Sequence, residues 1–155
     1  MSKPSRTPSP LDWGLPRGLG VPLFTAHRIT PAPGTLSAAR RFTRHTLSAW
    51  YPTATQEWEA RVMAVAGELV TNALQHALAP APTQSGWLAL HGIHRALVCA
   101  VRDPSTKLPQ RHNQALASEA VRGLQLITEL SDGWGYQVLG NDVGKTVWAR
   151  ILCRT

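Results

Sequence analysis

The apolar positions of this chain change period several times along its length, and each change marks an element. Val21 to Thr30 alternates weakly around Phe24 and Ile29 and predicts a first strand, stopped by the turn Pro31-Ala32-Pro33-Gly34. From Thr35 to Trp50, Leu36, Ala39, Phe42, Leu47 and Trp50 recur at mostly helical spacing while Arg40, Arg41 and Arg44 occupy other faces, which predicts an amphipathic helix. A second helix, from about Thr55 to Leu78, is rich in Ala, Glu, Leu and Met and stops at the breaker Pro80-Ala81-Pro82. Two apolar runs, Trp87 to His91 and Ala96 to Val101, flank Gly92 and suit a hairpin. Pro104 to Ser118 is polar and without period, and a loop of that length inside a compact domain is expected to have a function. A third helix, about Ala120 to Leu130, ends at Ser131-Asp132-Gly133; strands Trp134 to Leu139 and Lys145 to Cys153 follow, joined by the turn Gly140-Asn141-Asp142. That order predicts an α+β two-layer sandwich, with one mixed, mostly antiparallel sheet and its helices on one face.

Composition narrows the picture. A chain of 155 residues that is 43% hydrophobic is one domain's worth and can bury its own core, expected over residues 21–155. Residues 1–20, interrupted by Pro4, Pro8, Pro10 and Pro16, lack periodic apolar contacts and read as a flexible tail. Sixteen Lys and Arg against nine Asp and Glu give a formal charge of +7, which favours a polyanionic ligand: nucleic acid, a phosphorylated molecule or an acidic protein surface. The basic residues are scattered, no recognition helix stands out, and the six tryptophans are dispersed, so nucleic acid is not the favoured partner. The first residues lack a signal peptide's apolar core, and no run nears the roughly 18 apolar residues of a membrane span. The cytoplasm is therefore the expected location. Cys99 and Cys153 show no metal-ligand spacing and read as reduced thiols of the core.

The chemistry concentrates in the second helix. In ELVTNALQHA, Glu68, Asn72 and His76 follow one another at i, i+4 and i+8, and at about 100° per residue each step turns the ridge by only about 40°. Leu69, Ala73 and Ala77 follow the same spacing on the adjacent ridge and can pack inward. A carboxylate, an amide oxygen and an imidazole in a row can hold a hard cation, orient a water and receive a proton. By spacing alone, the same ridge is what any solvated helix face shows. Asp103 before Pro104 reads equally as a turn residue, Thr146 as a β-branched strand residue, and Gly123 as a glycine near a helix start.

ARRF on the first helix, ELVTNALQHA, a strand ending VRDPS, VRGLQLITELSDGWG and finally GKTVWARI stand in an order that resembles the GHKL, or Bergerat-fold, ATPases. The resemblance is strongest to the small ATP-binding anti-sigma-factor serine kinases and covers about residues 21–153. It implies that Asn72 ligates a Mg²⁺ bridging the phosphates of ATP and that Glu68 is the general base that polarises an attacking hydroxyl or water. It also implies that Asp103 accepts a hydrogen bond from the exocyclic amine of adenine and that Thr146 supports the same base. Arg122, Gly123 and Leu124 fall in the place of the family's second glycine box, where free N–H groups at a helix start attract phosphate. His76 stands either at the site's edge or as a structural hydrogen-bonding partner. The loop Pro104 to Ser118, with Lys107, Arg111 and His112, takes the place of the ATP lid.

Two departures bear on affinity. The first glycine box usually reads Asp, any residue, Gly, any residue, Gly, whereas this chain has Asp103-Pro104-Ser105-Thr106-Lys107, and Val121 replaces the first glycine of the second box. Missing glycines stiffen a hinge and keep backbone away from a ligand. The resemblance implies an ATP-binding regulator that sequesters a sigma factor or similar partner and phosphorylates a serine of a protein antagonist, as a homodimer. The departures favour, as the alternative, a nucleotide-binding or pseudo-enzyme protein-interaction module without catalytic turnover.

Overall fold

The computed structural model describes residues 23–93, 95–107, 119–140 and 144–153, the side chains of 119–122 excepted. The tail at 1–20, Arg111 and His112 in the loop, and Asn141 and Asp142 in the last turn lie outside the described residues. The elements run β1 (Leu23–Ile29), α1 (Thr35–Trp50), α2 (Gln56–Ala73), a π turn (Leu74–Leu78), β2 (Gly86–Ile93), β3 (Ala96–Asp103), α3 (Glu119–Leu130), β4 (Gly133–Leu139) and β5 (Gly144–Leu152).

The five strands form one sheet in the order β1-β2-β3-β5-β4, with every neighbouring pair antiparallel. β5 is thus inserted between β3 and β4. Alternation then sorts side chains to two faces. Leu88 and Leu90 of β2, Leu97, Cys99 and Val101 of β3, and Val147, Ala149 and Ile151 of β5 join one buried cluster with Val62, Val65, Leu69 and Val70 of α2. The residues between them, Ala89 and Ala100 with Phe24, Ala26, Trp87 and Trp148, form a smaller cluster on the opposite face. The helices therefore cover one face of the sheet, as the two-layer reading expects.

Each helix is held by local chemistry. α2 opens on Thr55, whose side chain accepts a hydrogen bond from the Trp58 N–H (3.2 Å), with Glu57 and Glu59 in its first turn. Such a cap and such charges satisfy and complement a helix N-terminus. Its inward stripe includes Leu69 and Ala73, and Ala77 beyond it is buried as well. At the π turn the Ala79 N–H reaches the Leu74 carbonyl (2.8 Å), one residue further back than an α-helix allows. Leu78 is thereby fully buried just before the Pro80 breaker.

The end of α3 is tied to both layers. Arg61 of α2 donates from Nη2 (2.8 Å) and Nε (3.2 Å) to the Leu130 carbonyl at the helix C-terminus and approaches Asp132 (3.5 Å). Asp132 accepts from the Leu152 N–H (2.7 Å), and its own N–H reaches the Arg150 carbonyl (2.8 Å). A cation on the last carbonyl of a helix offsets the negative end of its dipole. This chain of bonds fixes α3 against α2.

His91 on β2 is buried, edge-on to Phe24 with ring centroids 6.1 Å apart, and neither ring nitrogen has a hydrogen-bond partner among the described residues. Burial holds its pKa below the ordinary value of 6.5. The unfolded chain therefore takes up a proton before the folded one does, and the stability that His91 contributes above pH 6.5 is lost as pH falls through its folded pKa. His91→Phe is expected to lose less stability on acidification than the parent. Urea unfolding of both proteins at neutral and mildly acidic pH checks this; parallel pH profiles would count against it.

Candidate functional site

Two groups of polar side chains occupy the helix-covered half of the molecule. The first lies between α2 and α3. Glu68 and Asn72 are half-buried, one turn apart, and both lean against Gly123. A Cβ placed on Gly123 would lie 2.9 Å from Glu68 Oε2, 3.0 Å from Asn72 Oδ1 and 3.2 Å from Asn72 Nδ2. Those distances are shorter than ordinary contact, so a side chain at position 123 would push the tips of both polar groups from where they stand. The neighbouring Leu124 is buried in the core and anchors this part of α3. Arg122 directly precedes Gly123, and its side chain lies outside the description. His76 is exposed on the π turn, where the α-helical spacing that defined the ridge has already ended.

The second group closes the end of the β3–β5 ladder. Asp103 is 4% exposed, the last residue of β3, and sits directly opposite Lys145 of β5. Lys145 Nζ donates to Asp103 Oδ1 at 2.9 Å and approaches the Ser105 carbonyl at 3.4 Å, while the Ser105 N–H donates to the same Oδ1 at 2.8 Å. Burial pushes the Asp103 carboxyl up from its ordinary value, opposed by Lys145 and by the Ser105 N–H. The Lys107 N–H in turn donates to Ser105 Oγ (3.1 Å), so the segment after β3 is tied down over its first residues.

Thr146 is not brought to this carboxylate. Its register partners are Arg102 and Gln137, and alternation turns it with Trp148 to the face away from the helices. It is fully buried there, its hydroxyl without a hydrogen-bond partner among the described residues. The residue beside Asp103 is Lys145, which reading along the sequence overlooks. Alternation shows that only one of Lys145 and Thr146 can share the face of Asp103. The register that decides between them comes from pairing two strands separated by a helix and a further strand.

Gly144 sets that register locally. Its φ of +121° is open to glycine, and a Cβ there would collide with the Asp103 carbonyl oxygen and lie 2.8 Å from Pro104 Cα. Backbone cannot yield as a side-chain tip can. Gly144→Ala is expected to cost about 2–3 kcal/mol of stability. Urea unfolding measures it, and a change within about 0.5 kcal/mol would contradict the close approach.

The family described as "Histidine kinase-like ATPase domain" matches residues 29–151, from the last residue of β1 into β5. No curated protein matches the chain. Among the described residues no helix is long and apolar enough to cross a membrane. With a match over most of its length, spanning both polar groups, the chain belongs to the histidine kinase-like ATPases, the ATP-binding domains of GHKL type.

Proposed function

We propose that this domain binds Mg-ATP and transfers its γ-phosphoryl group to a serine of a protein antagonist, while holding a sigma factor or a similar partner. The observation that carries the reading is the convergence of Glu68 and Asn72 on the bare backbone of Gly123. An amide oxygen and a carboxylate beside a space that a single Cβ would fill suit a hard cation that keeps most of its ligands as phosphate oxygens and water. Asn72 would hold the Mg²⁺, which when bound offsets charge on the phosphates.

The chain's own residues supply the rest. α3 opens at Glu119, so the N–H groups of Arg122, Gly123 and Leu124 fall in the helix's own hydrogen-bonded turns and are not the free donors expected of a helix start. The bare backbone at Gly123 would instead let phosphate approach closely, and Asp103 would accept from the exocyclic amine of adenine. Glu68 would take the proton from the seryl hydroxyl as its oxygen bonds to the γ-phosphorus. The bond from that phosphorus to the bridging oxygen of the β-phosphate breaks, and ADP leaves. The exposed Arg40, Arg41 and Arg44 on α1 offer a basic face to an acidic protein partner, either the antagonist or the sequestered factor. A homodimer belongs to the same reading.

A second reading, a nucleotide-binding module that works by docking alone, is favoured by one observation. The segment after β3 lacks the family's glycines and is tied by Ser105, Lys107 and Lys145.

Calorimetry with Mg-ATP separates the outcomes. The parent is expected to bind at millimolar nucleotide or tighter, and Asn72→Ala to weaken magnesium-dependent binding by about tenfold or more. Glu68→Gln is expected to leave binding nearly unchanged while lowering phosphoryl transfer by about 100-fold or more. Binding without any transfer supports the docking module, and absence of binding at millimolar nucleotide contradicts both readings.

A further inference from the structure

Lys145 is a buried cation to which the proposed reaction gives no task. Its side chain is 8% exposed, and its partner is the 4% exposed carboxylate of Asp103. A buried ion pair is a poor device for stability alone, because desolvation of both charges offsets most of their attraction and an apolar pair of similar volume often does as well. Its value here lies in what it does to the carboxylate. The Lys145 ammonium and the Ser105 N–H both fall on Oδ1, and among the described residues no hydrogen bond falls on Oδ2. One oxygen is anchored while the other is left to accept.

We propose that Lys145 is a positioning residue for purine recognition, holding Asp103 ionised and turned so that Oδ2 meets the exocyclic amine of the base. The inference rests on the nucleotide reading above. An ionised carboxylate only accepts, so it pairs with a 6-amino purine and repels the oxygen of a 6-oxo purine. A protonated carboxyl gains a donor and can pair with either. Without Lys145, a carboxyl already pushed up by burial loses the main group that opposes that push and protonates more readily.

Other charges nearby do not substitute for it. Arg102 is turned by alternation to the opposite face, Lys107 is exposed in the following segment, and Glu68 of α2 lies against Gly123.

The test compares Mg-ATP with Mg-ITP, its 6-oxo counterpart, by calorimetry from about pH 6 to about pH 9 for the parent, Lys145→Met and Lys145→Arg. The parent is expected to prefer ATP by about tenfold or more, with a preference that is flat in pH. Lys145→Met is expected to lose most of that preference near neutral pH and to recover it as pH rises, while Lys145→Arg keeps the parent's behaviour. Should Lys145→Met not fold, Lys145→Gln, which keeps a hydrogen-bond donor without the charge, must show the same pH-dependent loss. A charge-removing variant that folds and keeps both the preference and the flat profile overturns the role of Lys145 alone. A parent that binds neither nucleotide at millimolar concentration overturns the nucleotide reading, and this inference with it.

Discussion

The constraint on which the site depends is the close contact of α2 with α3 at a position that has no side chain. Glu68 and Asn72 stand one turn apart on α2, and the space in front of them belongs to Gly123. Any larger residue would meet a carboxylate oxygen and an amide at once. The contact is maintained from a distance: Leu124 and Ile127 seat α3 in the core, and Arg61 and Asp132 bind its far end to α2 and β5. The polar groups thus rest on rigid elements, and their separation from α3 is set by packing that does not itself touch a ligand.

The second polar group is organised by the sheet. Antiparallel pairing of β3 with β5 puts Asp103 opposite Lys145, and the backbone contact at Gly144 holds the ends of the two strands together. A buried carboxylate is costly unless paired, and here the pairing is one-sided, falling on Oδ1. The pattern differs from that in α1, where Thr43 and Thr46 satisfy their buried hydroxyls on their own helix, donating to Ala39 and Phe42 carbonyls at 2.9 Å.

Much of this was legible in the residues, for reasons that differ by element. α1 matched its predicted limits because a proline-glycine turn precedes its apolar period and a break follows it. The strands were legible from short apolar runs, and the antiparallel sheet with its helices on one face follows from their order. The insertion of β5 between β3 and β4 is a long-range choice that local pattern does not carry. The π turn was hidden because one extra residue in a helix leaves composition unchanged, and the predicted ridge of Glu68, Asn72 and His76 assumed α-helical spacing throughout. Asp103 and Glu68 were legible from their motifs. Lys145 was not, since choosing between it and Thr146 requires a strand register, and a slip of one residue exchanges the faces.

A metal-bound purine nucleotide held as proposed would lie between α2 and α3, against Asn72 and Gly123. Replacing Mg²⁺ by paramagnetic Mn²⁺ in the nucleotide complex and following line broadening in the nuclear magnetic resonance spectrum of the labelled protein tests it most directly. The Asn72 side-chain amide and the Gly123 backbone amide are expected to broaden first, while the His91 and Trp148 signals on the opposite face of the sheet persist. Broadening centred on that opposite face, with Asn72 and Gly123 unaffected, would contradict it.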